Sequence, residues 1–127
     1  MSQSLARFAL AFGLTQIIEV PIYTRGTRVR PIVAFGASAI THPVVWFVMP
    51  RLADAIYAWM SLRGVAIVHR AAFRTLGFAL LAEGFAVGVE AMYLRAFKVR
   101  RALVWSLLAN GASAGLGYLL WALTGWP

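Results

Sequence analysis

The sequence predicts an all-α fold, a bundle of four transmembrane helices, and three observations support this. Apolar residues make up 61% of the 127-residue chain, against about 45–50% in an ordinary soluble domain. Only 13% of the residues are charged, against roughly 25% in such a domain. The chain also contains four apolar runs, each close to the about 20 residues that a helix needs to cross a bilayer core. A soluble chain this small has too little interior to hide so much apolar surface.

Proline and charged residues set the expected ends of these runs. The first run ends near Pro21, and Pro31 suits the first turn of a second helix that closes at Pro50. The first run follows a single basic residue, and no small-residue cleavage site comes after it. We therefore expect a retained helix and not a signal peptide. The predicted single transmembrane domain covers residues 1–127, with spans at about residues 5–23, 31–49, 75–94 and 102–124.

The segment between the second and third spans is too charged to cross a bilayer. Its apolar residues recur at helical spacing, which is typical of an amphipathic helix lying in the membrane interface. They are Leu52, Ala55, Ile56, Trp59 and Met60. The prediction is an interfacial segment over residues 51–70, and the alternative is a loop packed over the bundle.

The net charge of +8 comes from 12 Lys+Arg and 4 Asp+Glu. The basic residues lie beside the apolar runs, which indicates that they act as topology signals and contact anionic lipid. The predicted partner is therefore the bilayer and not a nucleic acid. Seven of them lie in residues 24–30 and 95–101, and five on the opposite side. The basic loops are therefore predicted to be cytoplasmic and both termini periplasmic. The chain has no cysteine, which excludes disulfides, thiolate metal sites and a cysteine nucleophile.

Five polar residues within the predicted spans are the candidate functional residues. Ionisable groups at membrane depth are costly and usually face the bundle interior or water. Measured from the basic loops at about 1.5 Å per residue, they fall at two main depths. Glu19 and Glu90 lie about 7 Å deep, Asn110 about 12 Å, and His42 and Glu83 about 17 Å. We expect all five to line one polar seam.

Four functional hypotheses follow from this set. Buried carboxyl groups can exchange protons near neutral pH, which favours the handling of protons or cations. Glutamate and histidine also suit a divalent metal ion, for which Glu83 and His42 are the candidate ligands. The runner-up hypothesis is a structural subunit of a larger membrane complex, in which Glu90 pairs with Arg28 or Arg95. Four short spans also favour a homo-oligomer. An enzyme is least favoured, because no His-Glu-x-x-His or Gly-x-Ser-x-Gly motif is present.

Two pairs of glycines at four-residue spacing predict close packing of the third span against the fourth. Small residues at this spacing let two membrane helices approach closely. The pairs are Gly84 with Gly88 and Gly111 with Gly115.

The order of these short motifs resembles a group of small bacterial membrane proteins with four spans. The motifs are Glu-x-Pro at Glu19–Pro21, Thr-His-Pro at Thr41–Pro43, the pair Glu83 and Glu90, Ser106–Asn110, and Gly111–Gly115. The resemblance extends over most of the chain. It implies a location in the bacterial inner membrane and no particular activity.

Overall fold

A computed structural model describes residues 2–125, and this part of the chain is almost entirely helical. Helix α1 covers Ser2–Thr27, α2 Pro31–Phe47, α3 Met49–Leu62, α4 Ala71–Ala96 and α5 Ala102–Thr124, with a short 3₁₀ helix at Ala66–His69 before α4. The all-α prediction is confirmed. Three segments are long and apolar enough to span a membrane: Leu5–Thr27, Ala71–Ala96 and Ala102–Thr124. The fourth predicted span is supported only if α2 and α3, bent by 44°, form one broken span.

Four helices form a ring in which α1 packs on α2, α2 on α4, α4 on α5, and α5 on α1. Helices α1 and α2 are antiparallel, as are α4 and α5, because a short connection joins each pair. Helix α3 and the 3₁₀ helix pack against α4. In this ring α1 and α4 lie on one diagonal, and α2 and α5 on the other.

Prolines shape two of these helices in different ways. The expected end of the first span near Pro21 is wrong, because α1 continues through it to Thr27. Pro21 has no N–H to donate to the carbonyl of Ile17, but membrane helices tolerate such a gap where neighbouring groups or small helix adjustments compensate for it. Pro50 instead lies in the first turn of α3. It cannot donate to the preceding turn, which accounts for the bend after α2.

The tightest packing lies near the basic loops. Its buried core comprises Tyr23, Ala34, Ala37, Leu94, Ala102 and Ala109. Four of these six residues are alanines, whose small side chains let the helices approach closely. We call residues 19–41 and 86–113 the basic half of the bundle, and residues 5–18, 42–85 and 114–125 the far half.

The predicted packing role of the four glycines is wrong within this chain. A Cβ added at Gly84, Gly88, Gly111 or Gly115 would meet nothing within 4 Å. Helices α4 and α5 do pack together, but the small residues buried on them are Ala82, Ala86, Ala91, Ala102, Ser106 and Ala109. Close approaches occur at other glycines, where Gly26 faces the ring of Trp105, Gly36 the hydroxyl of Tyr93, and Gly77 the hydroxyl of Tyr57.

Candidate functional site

Two carboxyl groups lie buried at the centre of the basic half. Glu19 on α1 and Glu90 on α4 are each 1% exposed. Their helices occupy opposite corners of the ring, so both side chains point inward across the bundle.

Glu90 accepts three hydrogen bonds from three different helices. On one carboxyl oxygen, Oε2, it accepts the Tyr23 hydroxyl at 2.5 Å and the Asn110 amide Nδ2 at 2.9 Å. On the other oxygen, Oε1, it accepts the Thr41 hydroxyl at 2.7 Å. Asn110 is held in place because Nδ2 also donates to the Ser106 carbonyl at 3.0 Å. Every other helix of the ring therefore contributes a donor to this one carboxyl group.

Glu19 accepts two hydrogen bonds, both from serines. Ser113 on α5 donates to Oε1 at 2.6 Å, and Ser38 on α2 donates to Oε2. The Ser113 hydroxyl also lies 3.1 Å from the carbonyl oxygen of Asn110. A hydroxyl has one proton to donate and can accept others, so Ser113 bonds one of these two acceptors at a time. Asn110 and Ser113, one turn apart on α5, connect the two carboxyl groups.

In the part of the chain that the structure describes, no arginine pairs with either buried glutamate. Within residues 2–125, the ion pair that forms joins Arg74 and Asp54 at 2.9 Å on the surface. The expected pairing of Glu90 with Arg28 or Arg95 is therefore wrong. Hydroxyl and amide groups, and not an arginine, bond the two carboxyl groups.

The deeper candidates, His42 and Glu83, lie apart from this network. The His42 ring sits among aromatic side chains of α1 and α2, with centroid distances of 5.4 Å to Phe8, 5.2 Å to Phe12 and 6.0 Å to Trp46. Its Nε2 atom is buried without a hydrogen-bond partner, as are both amide atoms of Gln16. Glu83 is half-buried. The predicted single seam is thus divided, since hydrogen bonds unite Glu19, Glu90 and Asn110 but not the other two.

The predicted metal site gains no support from the geometry. In the described part of the chain, no three His, Asp or Glu side chains come together as a metal site would require. The oxygens of Glu19 and Glu90 already accept protein donors. A metal ion there would have to displace them.

Two of the five donors, Tyr23 and Ser38, are not identified from the sequence. Tyr23, Ser38 and Ser106 are buried polar partners that looked unremarkable as single residues. Helical spacing is the signal that identifies them, because Tyr23 follows Glu19 by four residues and Asn110 follows Ser106 by four. Residues at this spacing share one face of a helix. Polar residues that share a helix face turned toward a buried glutamate are therefore candidate hydrogen-bond partners of that glutamate.

Comparison with known proteins gives no match, since no family profile, no curated protein and no solved structure is significantly similar to the chain.

Proposed function

We propose that the protein is an integral membrane protein that passes protons through its bundle, with Glu19 and Glu90 as the proton-exchanging groups. One observation carries this proposal: two buried carboxyl groups are surrounded by four hydroxyls and one amide, with no basic side chain bonded to them. An arginine partner would hold a carboxylate in its charged form. A hydroxyl both donates and accepts, so it can pass a proton on.

Protons are favoured over metal cations because protein groups already occupy the carboxyl oxygens. The oxygens of Glu19 and Glu90 that a cation would need are bonded to hydroxyl and amide groups. Buried polar atoms of Gln16 and His42 also lack a hydrogen-bond partner. Buried polar atoms need hydrogen-bond partners, and Gln16 lies about one helical turn from Glu19. These groups extend the polar region from the basic half toward the far half.

The second candidate is a structural subunit of a larger membrane complex. The same hydrogen bonds join all four helices of the ring, and such bonds stabilise membrane bundles by about 1 kcal/mol each. A protein of this kind would not move protons, and it would copurify with larger partners at fixed stoichiometry. The distinction is therefore measurable.

Proton flux into liposomes tests the proposal. The purified chain is reconstituted with a pH-sensitive dye inside the vesicles and a potassium diffusion potential across them. We expect Glu90→Gln and Glu19→Gln to lower the flux by about tenfold or more, because glutamine keeps the shape and an acceptor oxygen but cannot exchange a proton.

Asp54→Asn is the matched control, since it makes the same acid-to-amide change at an exposed position. Its flux should equal that of the unmodified chain. An unmodified chain without flux above that of protein-free vesicles would contradict the proposal and favour the structural subunit. Equal losses in all three variants would also contradict it.

A further inference from the structure

A cavity of about 440 Å³ lies between the loop after α1 and the loop after α4. Four of its lining residues are basic: Arg28, Lys98, Arg100 and Arg101. No acidic residue occurs in residues 20–53 or 91–127, which include both loops. The cavity is therefore a cationic cup without an internal counter-charge.

The backbone holds three of these basic residues in an unusual conformation. Arg28 and Lys98 each have φ of 60°, and Arg101 has φ of 56°. In this left-handed region, residues other than glycine are uncommon and cost free energy. At Arg28 and Lys98 this conformation accompanies the backbone hydrogen bonds that end α1 and α4. All three left-handed basic residues line the same cavity.

An apolar groove of about 360 Å³ adjoins the cup. It is lined by Pro21, Ile22 and Arg25 of α1, and it shares Gly26 and Trp105 with the cup. A Cβ at Gly26 would overlap the indole ring of Trp105, so glycine lets the ring lie directly on α1. Trp105 is therefore a common wall between a cationic cup and an apolar groove.

We propose that the cup and the groove together bind one anionic phospholipid. The phosphate lies among Arg28, Lys98 and Arg100, and the first part of an acyl chain follows the groove past Trp105. Basic pockets between membrane helices bind anionic headgroups, and tryptophan is enriched at the level of the headgroups. Topology signals alone require positive charge but neither a cavity nor an adjoining groove. This proposal does not depend on proton transfer at Glu19 and Glu90.

Lipid binding to the purified full-length chain in a neutral detergent tests this proposal. Native mass spectrometry gives the Kd of phosphatidylglycerol and of phosphatidylcholine with matched acyl chains. We expect phosphatidylglycerol to bind at least about tenfold more tightly. The double variant Lys98→Gln/Arg100→Gln should weaken its binding by about tenfold, since two cations beside the phosphate are lost.

The matched control is Arg63→Gln/Arg70→Gln, which removes the same charge from exposed positions at the other end of the bundle. It should leave the Kd of phosphatidylglycerol unchanged. Gly26→Ala supplies a second variant, because it displaces Trp105 while leaving every charge in place. We expect it to weaken phosphatidylglycerol binding without altering the net charge.

Three outcomes would overturn the proposal. Equal binding of the two lipids would leave the loops as topology signals alone. Equal losses in the two double variants would indicate a diffuse charge effect. Displacement of phosphatidylglycerol by millimolar inorganic phosphate would identify a site for free phosphate and not for a lipid.

Discussion

The two halves of the bundle treat their buried polar groups in opposite ways. In the basic half, Glu19 and Glu90 are fully buried and accept five hydrogen bonds from other side chains. In the far half, Gln16 and His42 keep three buried polar atoms without a partner. The difference follows from packing. Alanines bring the helices of the basic half together, whereas large aromatic side chains surround His42.

Depth within the membrane and the number of hydrogen-bond partners favour different residues in this protein. His42 and Glu83 are the deepest candidates along their helices, and depth alone favours them for a functional role. Yet it is the shallower pair, Glu19 and Glu90, that is surrounded by hydrogen-bond donors from neighbouring helices. Several helices direct polar groups at each of these carboxyl groups, and that requires close packing. The proposed proton-exchanging pair is therefore chosen by the arrangement of its hydrogen-bond partners and not by its distance from the membrane surface.

Removing Glu90 should produce the largest loss of stability. In Glu90→Ala, the side chains of Tyr23, Thr41 and Asn110 lose their common acceptor, so we expect a loss of about 2–4 kcal/mol in the free energy of unfolding. Glu83→Ala, the matched change in the far half, should cost less than about 1 kcal/mol, because no comparable network is lost. Unfolding by SDS titration in mixed micelles measures both. Equal losses would break the comparison between the two halves.

Glycine-to-alanine substitutions should change the free energy of unfolding by smaller amounts, and in opposite directions in the two halves. Gly36→Ala in the basic half places a methyl group against the Tyr93 hydroxyl, so we expect a net loss of about 1 kcal/mol from overpacking. Gly84→Ala in the far half meets nothing within 4 Å. It should gain up to about 1 kcal/mol, because alanine favours the helix more than glycine does. The same SDS titration measures the pair, and a loss in Gly84→Ala would show that this glycine packs against a partner after all.

The sequence predicts the helices well because hydropathy and length are local properties. The apolar runs identify α1, α2, α4 and α5, while the end of α1 is missed because a proline inside a membrane helix need not end it. The candidate site is only partly predictable. Glu19, Glu90 and Asn110 stand out as polar residues in apolar runs. Their grouping depends on which helices are neighbours and on how each is rotated, and neither depth nor spacing along one helix specifies these.

The glycine motifs also show that spacing along one helix does not specify which residues pack against another helix. Gly111 and Gly115 have the spacing of a packing motif, but the rotation of α5 leaves both exposed. Gly26 and Gly36 belong to no such motif, yet aromatic side chains lie against them. Close approach at a glycine depends on the side chain that faces it from another helix. That partner is a property of the tertiary structure.

We expect the smallest change in stability from removing the unpartnered polar atoms of Gln16. Gln16→Leu replaces a buried amide that lacks hydrogen bonds with an apolar side chain of similar size. Removing an unsatisfied polar group is neutral or stabilising, so we expect an unchanged stability or a gain of up to about 1 kcal/mol in the SDS titration. Thr41→Val, a similar polar-to-apolar change in the basic half, should instead lose about 1 kcal/mol, because the Thr41 hydroxyl donates to Glu90. If Gln16→Leu also lowers proton flux in liposomes, a polar residue has been kept at a cost in stability, as functional sites often require. A loss of stability in Gln16→Leu would mean that Gln16 has a partner in the membrane, and the contrast between the two halves would then fail.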